Sequence, residues 1–272
     1  MKLLIDSDML LYKSATATEV EVQVSDYCWT RHSHISEALQ LYWDQVQIWV
    51  DAVGASFDDC VHCLSGNSFY RKELYPNYKA ARKDKPKPIG FRAMREQILT
   101  ERSSFMYDSI EADDLLSIFA DMLRQESEDH VICSKDKDLD QVPGRHLWVD
   151  EDRDVSKADA IKAFYRQCLS GDSTDGIPGC PGLGDIGAAR KVEKLNLSQP
   201  VDCWEAIVRE YAEAHKAEQR KADKEPGRKP HPILLYEPEE FAILQARLVR
   251  MLNSDDYDFE THKVRLWKPP TR

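Results

Sequence analysis

The sequence predicts an α/β fold: a central, mainly parallel twisted sheet flanked by helices, followed by a helical C-terminal region. Three observations carry this. Short apolar runs of strand length recur at Lys2-Leu3-Leu4-Ile5, at residues 59–64 and at Val131-Ile132-Cys133. Stretches with helical spacing separate them, as the crossovers of a parallel sheet require. Carboxylates stand where the runs end or where helices begin, at Asp6, Glu111, Asp113, Asp114, Asp136, Asp138, Asp172 and Asp175.

Taken in order, the opening run ends in Asp6 and suits a buried central strand. From Ile35 to Ala55, Leu39, Tyr42, Trp43, Val46, Trp49, Val50 and Val53 recur every three or four residues, which predicts a helix. Residues 59–64 read as the second strand. Cys60-Val61-His62-Cys63 within it has zinc-like spacing, but no second pair follows and a strand turns alternate side chains to opposite faces. Residues 71–102 turn basic, through Arg71, Lys72, Lys79, Arg82, Lys83, Lys85, Lys87, Arg92, Arg95 and Arg102, with Pro86 and Pro88 interrupting, and read as an exposed excursion. Glu111-Ala112-Asp113-Asp114 opens a helix whose apolar side is Leu115, Leu116, Phe119 and Leu123. A third strand at 131–133 and a fourth at 147–149 complete the sheet, giving an expected division into a core at 1–165 and a helical region at 166–272. The charged stretch 217–229 has almost nothing apolar to bury and is expected to be solvated. A last helix is expected near residues 238–252.

Thirty-seven Lys and Arg stand against 48 Asp and Glu, a net charge of -11. That total does not exclude a polyanionic ligand, because the placement of positive charge decides binding. Seven scattered cysteines, no leader-like segment and no apolar run of membrane length predict a soluble, cytoplasmic protein.

Each acid has a bland explanation. Acids in a first helical turn complement the helix dipole for about 0.3–1 kcal/mol each, and Gly171-Asp172-Ser173-Thr174-Asp175-Gly176 could be an ordinary turn. Together they resist it, since converging like charges repel and raise one another's pKa. Hard divalent cations with oxygen ligands would relieve the repulsion, which points to metal-dependent phosphodiester chemistry. Downstream, Gly182-Leu183-Gly184-Asp185-Ile186-Gly187-Ala188 has helix-hairpin-helix spacing, in which Gly182, Gly184 and Gly187 let helix-terminal amides meet a phosphate.

Ile5-Asp6, Tyr70-Arg71-Lys72, Pro76-Asn77-Tyr78-Lys79-Ala80-Ala81-Arg82, Glu111-Ala112-Asp113-Asp114, Asp136-Lys137-Asp138 and residues 171–179 occur in the order found in the 5′ nuclease family. Over Met1 to Leu195 the chain resembles that family's bacteriophage exonuclease branch. The resemblance implies a PIN-like core with a helical arch at about 71–102, and two Mg²⁺ or Mn²⁺ ions. Asp6, Glu111, Asp113 and Asp114 would serve one ion, and Asp136, Asp138, Asp172 and Asp175 the other. It implies that Lys79 and Arg82 contact the scissile phosphate, that Tyr78 stacks on a terminal base, that Arg71 and Lys72 grip DNA, and that K⁺ sits at the hairpin. The implied activity is 5′-to-3′ exonuclease or flap cleavage of DNA, and of RNA in RNA–DNA hybrids, by a monomer leaving 5′ phosphates. A phage polymerase or single-strand-binding protein is the implied recruiter. One departure stands out: the acid that family members carry after the second strand is absent at Ser65-Gly66-Asn67. A non-catalytic DNA-junction binder and a PIN-type ribonuclease are the competing readings.

Overall fold

The computed structural model describes residues 1–82, 85–149, 151–225, 227 and 229–271. Lys83, counted in the basic segment, lies outside the described residues. The chain folds into two compact units, one comprising Met1–Phe69, Asp84–Val155 and Leu252–Val264, the other Tyr70–Lys83, Ser156–Met251 and Arg265–Arg272. The division expected near residue 165 falls ten residues earlier, and a piece of the basic segment belongs to the second unit.

In the first unit, β1 (Lys2–Asp6) leads directly into α1 (Ser7–Ala17). A hairpin of β2 (Glu19–Ser25) and β3 (Cys28–Ser33) follows, then α2 (Ile35–Val53) and β4 (Cys60–Ser65). The hairpin was not anticipated; Val20, Val22 and Val24 alternate as a strand should, yet all three are exposed, so no buried face advertises it. α2 stops at Val53, short of the expected end at Ala55, because Gly54 at φ 66° caps it. Its Tyr42, Val46 and Trp49 pack with Leu3 and Ile5 of β1 and with Leu10 and Leu11 of α1.

The second unit contributes α3 (Tyr70–Leu74) and a 3-10 turn at Ala80–Arg82, after which the first unit resumes with α4 (Phe91–Ile98). The basic segment is therefore not one exposed arch. Phe91, Met94 and Ile98 of α4 are buried in the first unit's core, which gives this helix an apolar side despite its arginines. Then come β5 (Ser104–Tyr107), α5 (Ala112–Gln125), β6 (His130–Cys133), β7 (Gly144–Trp148) and β8 (Glu151–Val155). The strand order is β5-β4-β1-β6-β7-β8, parallel except for the β7–β8 pair. The fold class is as expected, with β1 central and buried on both sides.

The Cys-His-Cys strand is interior rather than a metal site. His62 Nδ1 lies 2.7 Å from the Tyr42 hydroxyl, and that hydroxyl lies 2.7 Å from Ser7 Oγ. Burial holds the His62 pKa down at about 4, so the ring is neutral.

The second unit continues with α6 (Lys157–Ser170), α7 (Asp185–Val192), α8 (Pro200–Lys224) and α9 (Pro238–Val249). Tyr165 and Leu169 of α6, Trp204, Ile207 and Tyr211 of α8, and Phe241, Ala242 and Ala246 of α9 form its core. The stretch expected to be solvated from residue 217 is helical as far as Lys224, with Glu218 buried and paired to Lys221 at 2.6 Å. Pro226 and Arg228 in that stretch lie outside the described residues. Among the described residues, no helix is long and apolar enough to cross a membrane.

Candidate metal centre

In an open parallel sheet, the working groups collect beyond the carboxyl ends of the strands. Asp6 is the last residue of β1 and caps α1, its Oδ1 accepting from Met9 N at 3.0 Å. Its Oδ2 accepts from Ser134 Oγ at 2.7 Å. The side chain is buried, and desolvation pushes its pKa up to about 7 against the two hydrogen bonds, helped by the charges of Asp8 and Asp136.

Glu111 caps α5 through a capping box with Asp114, whose Oδ2 accepts from Glu111 N at 3.3 Å. The bland explanation therefore holds in part, because both acids stabilise the helix start. It does not cover the whole arrangement. Carboxylate oxygens of Glu111, Asp113 and Asp114 can all lie within 4.8 Å of one another, and so can those of Asp113, Asp136 and Asp138. Glu111 and Asp114 are buried, Asp114 completely. Capping does not require three converging carboxylates, and two such oxygen-rich groups sharing Asp113 could hold cations.

Asp136 caps the 3-10 turn Lys137–Gln141, accepting from Asp138 N at 2.9 Å. That local bond sets the two acids on one turn. Asp140, on the same turn, pairs instead with Arg153.

At Ser65-Gly66-Asn67, where the resemblance implies a further acid, these residues make other contacts. Ser65 Oγ accepts from Ala112 N at 3.0 Å, and Ser65 N donates to Asp8 Oδ2 at 2.9 Å. A Cβ at Gly66 would fall 2.1 Å from Tyr107 O, so no side chain fits there. Asn67 is exposed, and its backbone N–H donates to Asp108 Oδ1 at 3.2 Å. Asp8 and Ser134 are not singled out by the sequence, although Asp8 stands only two residues beyond Asp6.

In the second unit, Asp172 and Asp175 are both buried on the loop after α6. Asp172 Oδ1 accepts from Thr174 N at 2.7 Å and Asp175 N at 3.2 Å. Gly171, at φ 66°, is required here, since a Cβ would meet Ile177 O at 2.4 Å. Asp175 gathers the expected cations: Lys79 Nζ lies 3.4 Å from Oδ2, and Arg82 pairs with Oδ1. Lys79 N also donates to Asp175 O at 2.8 Å. Neither residue is on an arch helix. Lys79 sits at φ 52° and Arg82 in the 3-10 turn.

Two expected DNA contacts are placed otherwise. Tyr78 is 3% exposed with its hydroxyl 3.3 Å from Asp175 Oδ2, which leaves no open ring face for a base. Arg71 is 1% exposed and donates to Leu248 O and Arg250 O, each at 2.8 Å. Its guanidinium thus satisfies carbonyls at the end of α9. Lys72, beside it, is exposed.

The helix-hairpin-helix forms from α6, a hairpin and α7. Gly182 takes φ 84°, Gly184 is the N-cap of α7, and a Cβ at either would meet nothing within 4 Å. The first-turn amides that no helix can satisfy internally are accordingly left uncovered by side chains at these positions. Gly187 lies against Leu183, whose Cδ2 a Cβ would approach to 3.3 Å.

Residues 1–166 match the 5'-3' exonuclease N-terminal resolvase-like domain family. The exodeoxyribonuclease of Enterobacteria phage T3 is 26% identical over 98% of this chain and 92% of its own length. The exonuclease of Escherichia phage T7 is 25% identical over 98% and 93%. The flap endonuclease Xni of Shewanella oneidensis is 31% identical over 44% of this chain and 51% of its own. Among solved structures, the bacteriophage T5 flap endonuclease in a pseudo-enzyme-product complex with DNA and metal ions superposes with a TM-score of 0.56 at 17% identity, covering 91% of this chain and 88% of that one. A T5 5'-exonuclease carrying divalent zinc gives 0.55 at 16%, with the same coverage. At such identities the superpositions speak for the fold, and the family match over residues 1–166 speaks for descent: this chain belongs to the 5′-3′ exonuclease family.

Proposed function

We infer that the chain hydrolyses DNA phosphodiester bonds from 5′ ends and at flaps, and RNA within RNA–DNA hybrids, leaving 5′-phosphorylated products with the help of Mg²⁺ or Mn²⁺. The observation that carries this is the pair of carboxylate groups sharing Asp113 at the ends of a parallel sheet. The donor set suits these ions. It is all oxygen and partly buried, and burial, with the charges of Asp8 and Asp136, drives Asp6 towards protonation. When bound, such ions supply Lewis acidity towards phosphate and make water easier to deprotonate.

The chain's own residues do the rest. Glu111, Asp113 and Asp114 would hold one ion, and Asp136 and Asp138 a second with Asp113; Asp6 is tied to the turn of Asp136 through the Ser134 bridge and stays a proposed ligand of the first ion on the resemblance. Asp172 and Asp175 stay proposed oxygen ligands on the resemblance. Lys79 and Arg82, exchanged from Asp175 to substrate, would place positive charge against phosphate as charge builds on the leaving oxygen. Lys72 and the glycine hairpin would grip backbone phosphates without reading bases, with K⁺ at the hairpin carbonyls. Recruitment by a phage polymerase or single-strand-binding protein, and action as a monomer, follow from the resemblance.

Incubation of 5′-labelled duplex, flap and hybrid substrates tests this. Shortening from the 5′ end in Mg²⁺ that stops in chelator is expected. Binding without any metal-dependent shortening would leave only a DNA-junction binder, the reading that the acid-free strand end at Ser65-Gly66-Asn67 favours. For Lys79→Ala, a fall of about 10²-fold in single-turnover rate is expected, the size typical of losing one charge-stabilising donor. Its melting temperature should scarcely move, because Arg82 still neutralises Asp175. An unchanged rate would remove Lys79 from the mechanism.

A further inference from the structure

Ser134 is the first residue beyond β6, and β6 pairs in parallel with β1 so that Cys133 lies beside Ile5. The register carries Ser134 alongside Asp6. The serine is 6% exposed, and its Oγ stands 2.7 Å from Asp6 Oδ2 while lying 3.1 Å from Asp136 N. The direction of both bonds follows from elementary donor counting. A backbone amide can only donate, so Oγ is the acceptor from Asp136 N; its single proton is then free for the carboxylate. Asp6 Oδ1 is held from the other side by Met9 N. The Asp6 carboxylate is therefore fixed at both oxygens, and each oxygen keeps a further lone pair for a cation.

We propose that Ser134 is a positioning residue of the metal centre, its hydroxyl tying the Asp6 carboxylate at the end of β1 to the turn that carries Asp136 and Asp138. The proposal rests on the metal-dependent reading above. One hydroxyl links acids that come from two strands, so the spacing of the cradle is set before a cation arrives. Ser65 makes the comparable tie to α5, accepting from Ala112 N. Ser134 differs in reaching a carboxylate directly. Groups of this kind typically change metal affinity or activity by about 10–100-fold when removed.

The test is calorimetric titration of the whole chain with Mn²⁺ alone, in wild type, Ser134→Ala and Ser134→Thr, each checked for folding by circular dichroism. Ser134→Ala is expected to bind Mn²⁺ about 10-fold more weakly. Threonine keeps the hydroxyl and should stay within about threefold of wild type, a rescue that a space-filling role would not produce. Equal affinity of Ser134→Ala and wild type overturns the proposal, and so does equal weakening of the alanine and threonine variants. Absence of Mn²⁺ binding by the wild type would instead overturn the metal reading itself. Should Ser134→Ala not fold, Ser134→Cys replaces it. A thiol is a poor donor, so the cysteine variant is expected to bind more weakly than the threonine one, and equality of the two overturns the proposal.

Discussion

Replacing Asp113 by asparagine is expected to lower metal-dependent cleavage by at least about 10³-fold, more than any other single substitution in the first unit. Among the described residues Asp113 alone belongs to both carboxylate groups, so its charge serves both proposed cation positions. Losing roughly 4 kcal/mol of charge stabilisation in the transition state corresponds to that factor, at about 1.4 kcal/mol per decade. Asp138→Asn touches only one group and is expected to cost less. The two variants should also separate in Mn²⁺ titration, with both binding events weakened by Asp113→Asn and one by Asp138→Asn. Folding should survive, because Asp113 is only partly buried and its removal relieves like-charge repulsion. An Asp113→Asn protein that cleaves within tenfold of wild type would detach the shared acid from catalysis.

The acids were legible because their signal is local. Asp6 ends an apolar run, Glu111 opens a periodic helix, and Asp136 and Asp138 follow a strand; each position is fixed by a few neighbours in sequence. What the sequence hid depends on partners far along the chain. Ser134 means nothing until β6 is known to lie beside β1, 128 residues away at the Ser134–Asp6 bond. Arg71 and Tyr78 sit in a basic run and read as surface groups, yet Arg71 finds the end of α9 and Tyr78 finds Asp175. A long side chain with several donors can be buried when carbonyls without partners await it, and no periodicity announces that. The exposed hairpin escaped for the opposite reason, since the apolar alternation that normally marks a strand serves no buried face here.

Stability should expose the cost of holding an acid centre together without cations, and Asp6→Asn is the variant that isolates it. Its folded-state pKa, near 7, lies above the ordinary carboxylate value of 3.8, so the folded protein binds this proton more tightly than the unfolded chain. The resulting stabilisation is fully present below about pH 4 and is lost as pH rises to 7. At 1.36 kcal/mol per pH unit it is on the order of 4 kcal/mol, the side chain being buried. His62 runs the other way. Its folded-state pKa of about 4 lies below 6.5, so stability present above pH 6.5 is eroded as pH falls towards 4. Between pH 4 and 6.5 the two oppose each other, and metal-free wild type should show a shallow profile. Asp6→Asn removes one side of the balance: its metal-free melting temperature should climb steadily from pH 4 to 6.5 and exceed that of wild type at pH 8. Mg²⁺ should raise the wild-type value at pH 8 by mass action, worth about 2.7 kcal/mol at a hundredfold excess over Kd, and raise the variant's by much less. A variant that melts below wild type at pH 8 without metal, or gains as much from Mg²⁺, would mean that Asp6 is satisfied by its hydrogen bonds and that the centre has no need of a cation at this acid.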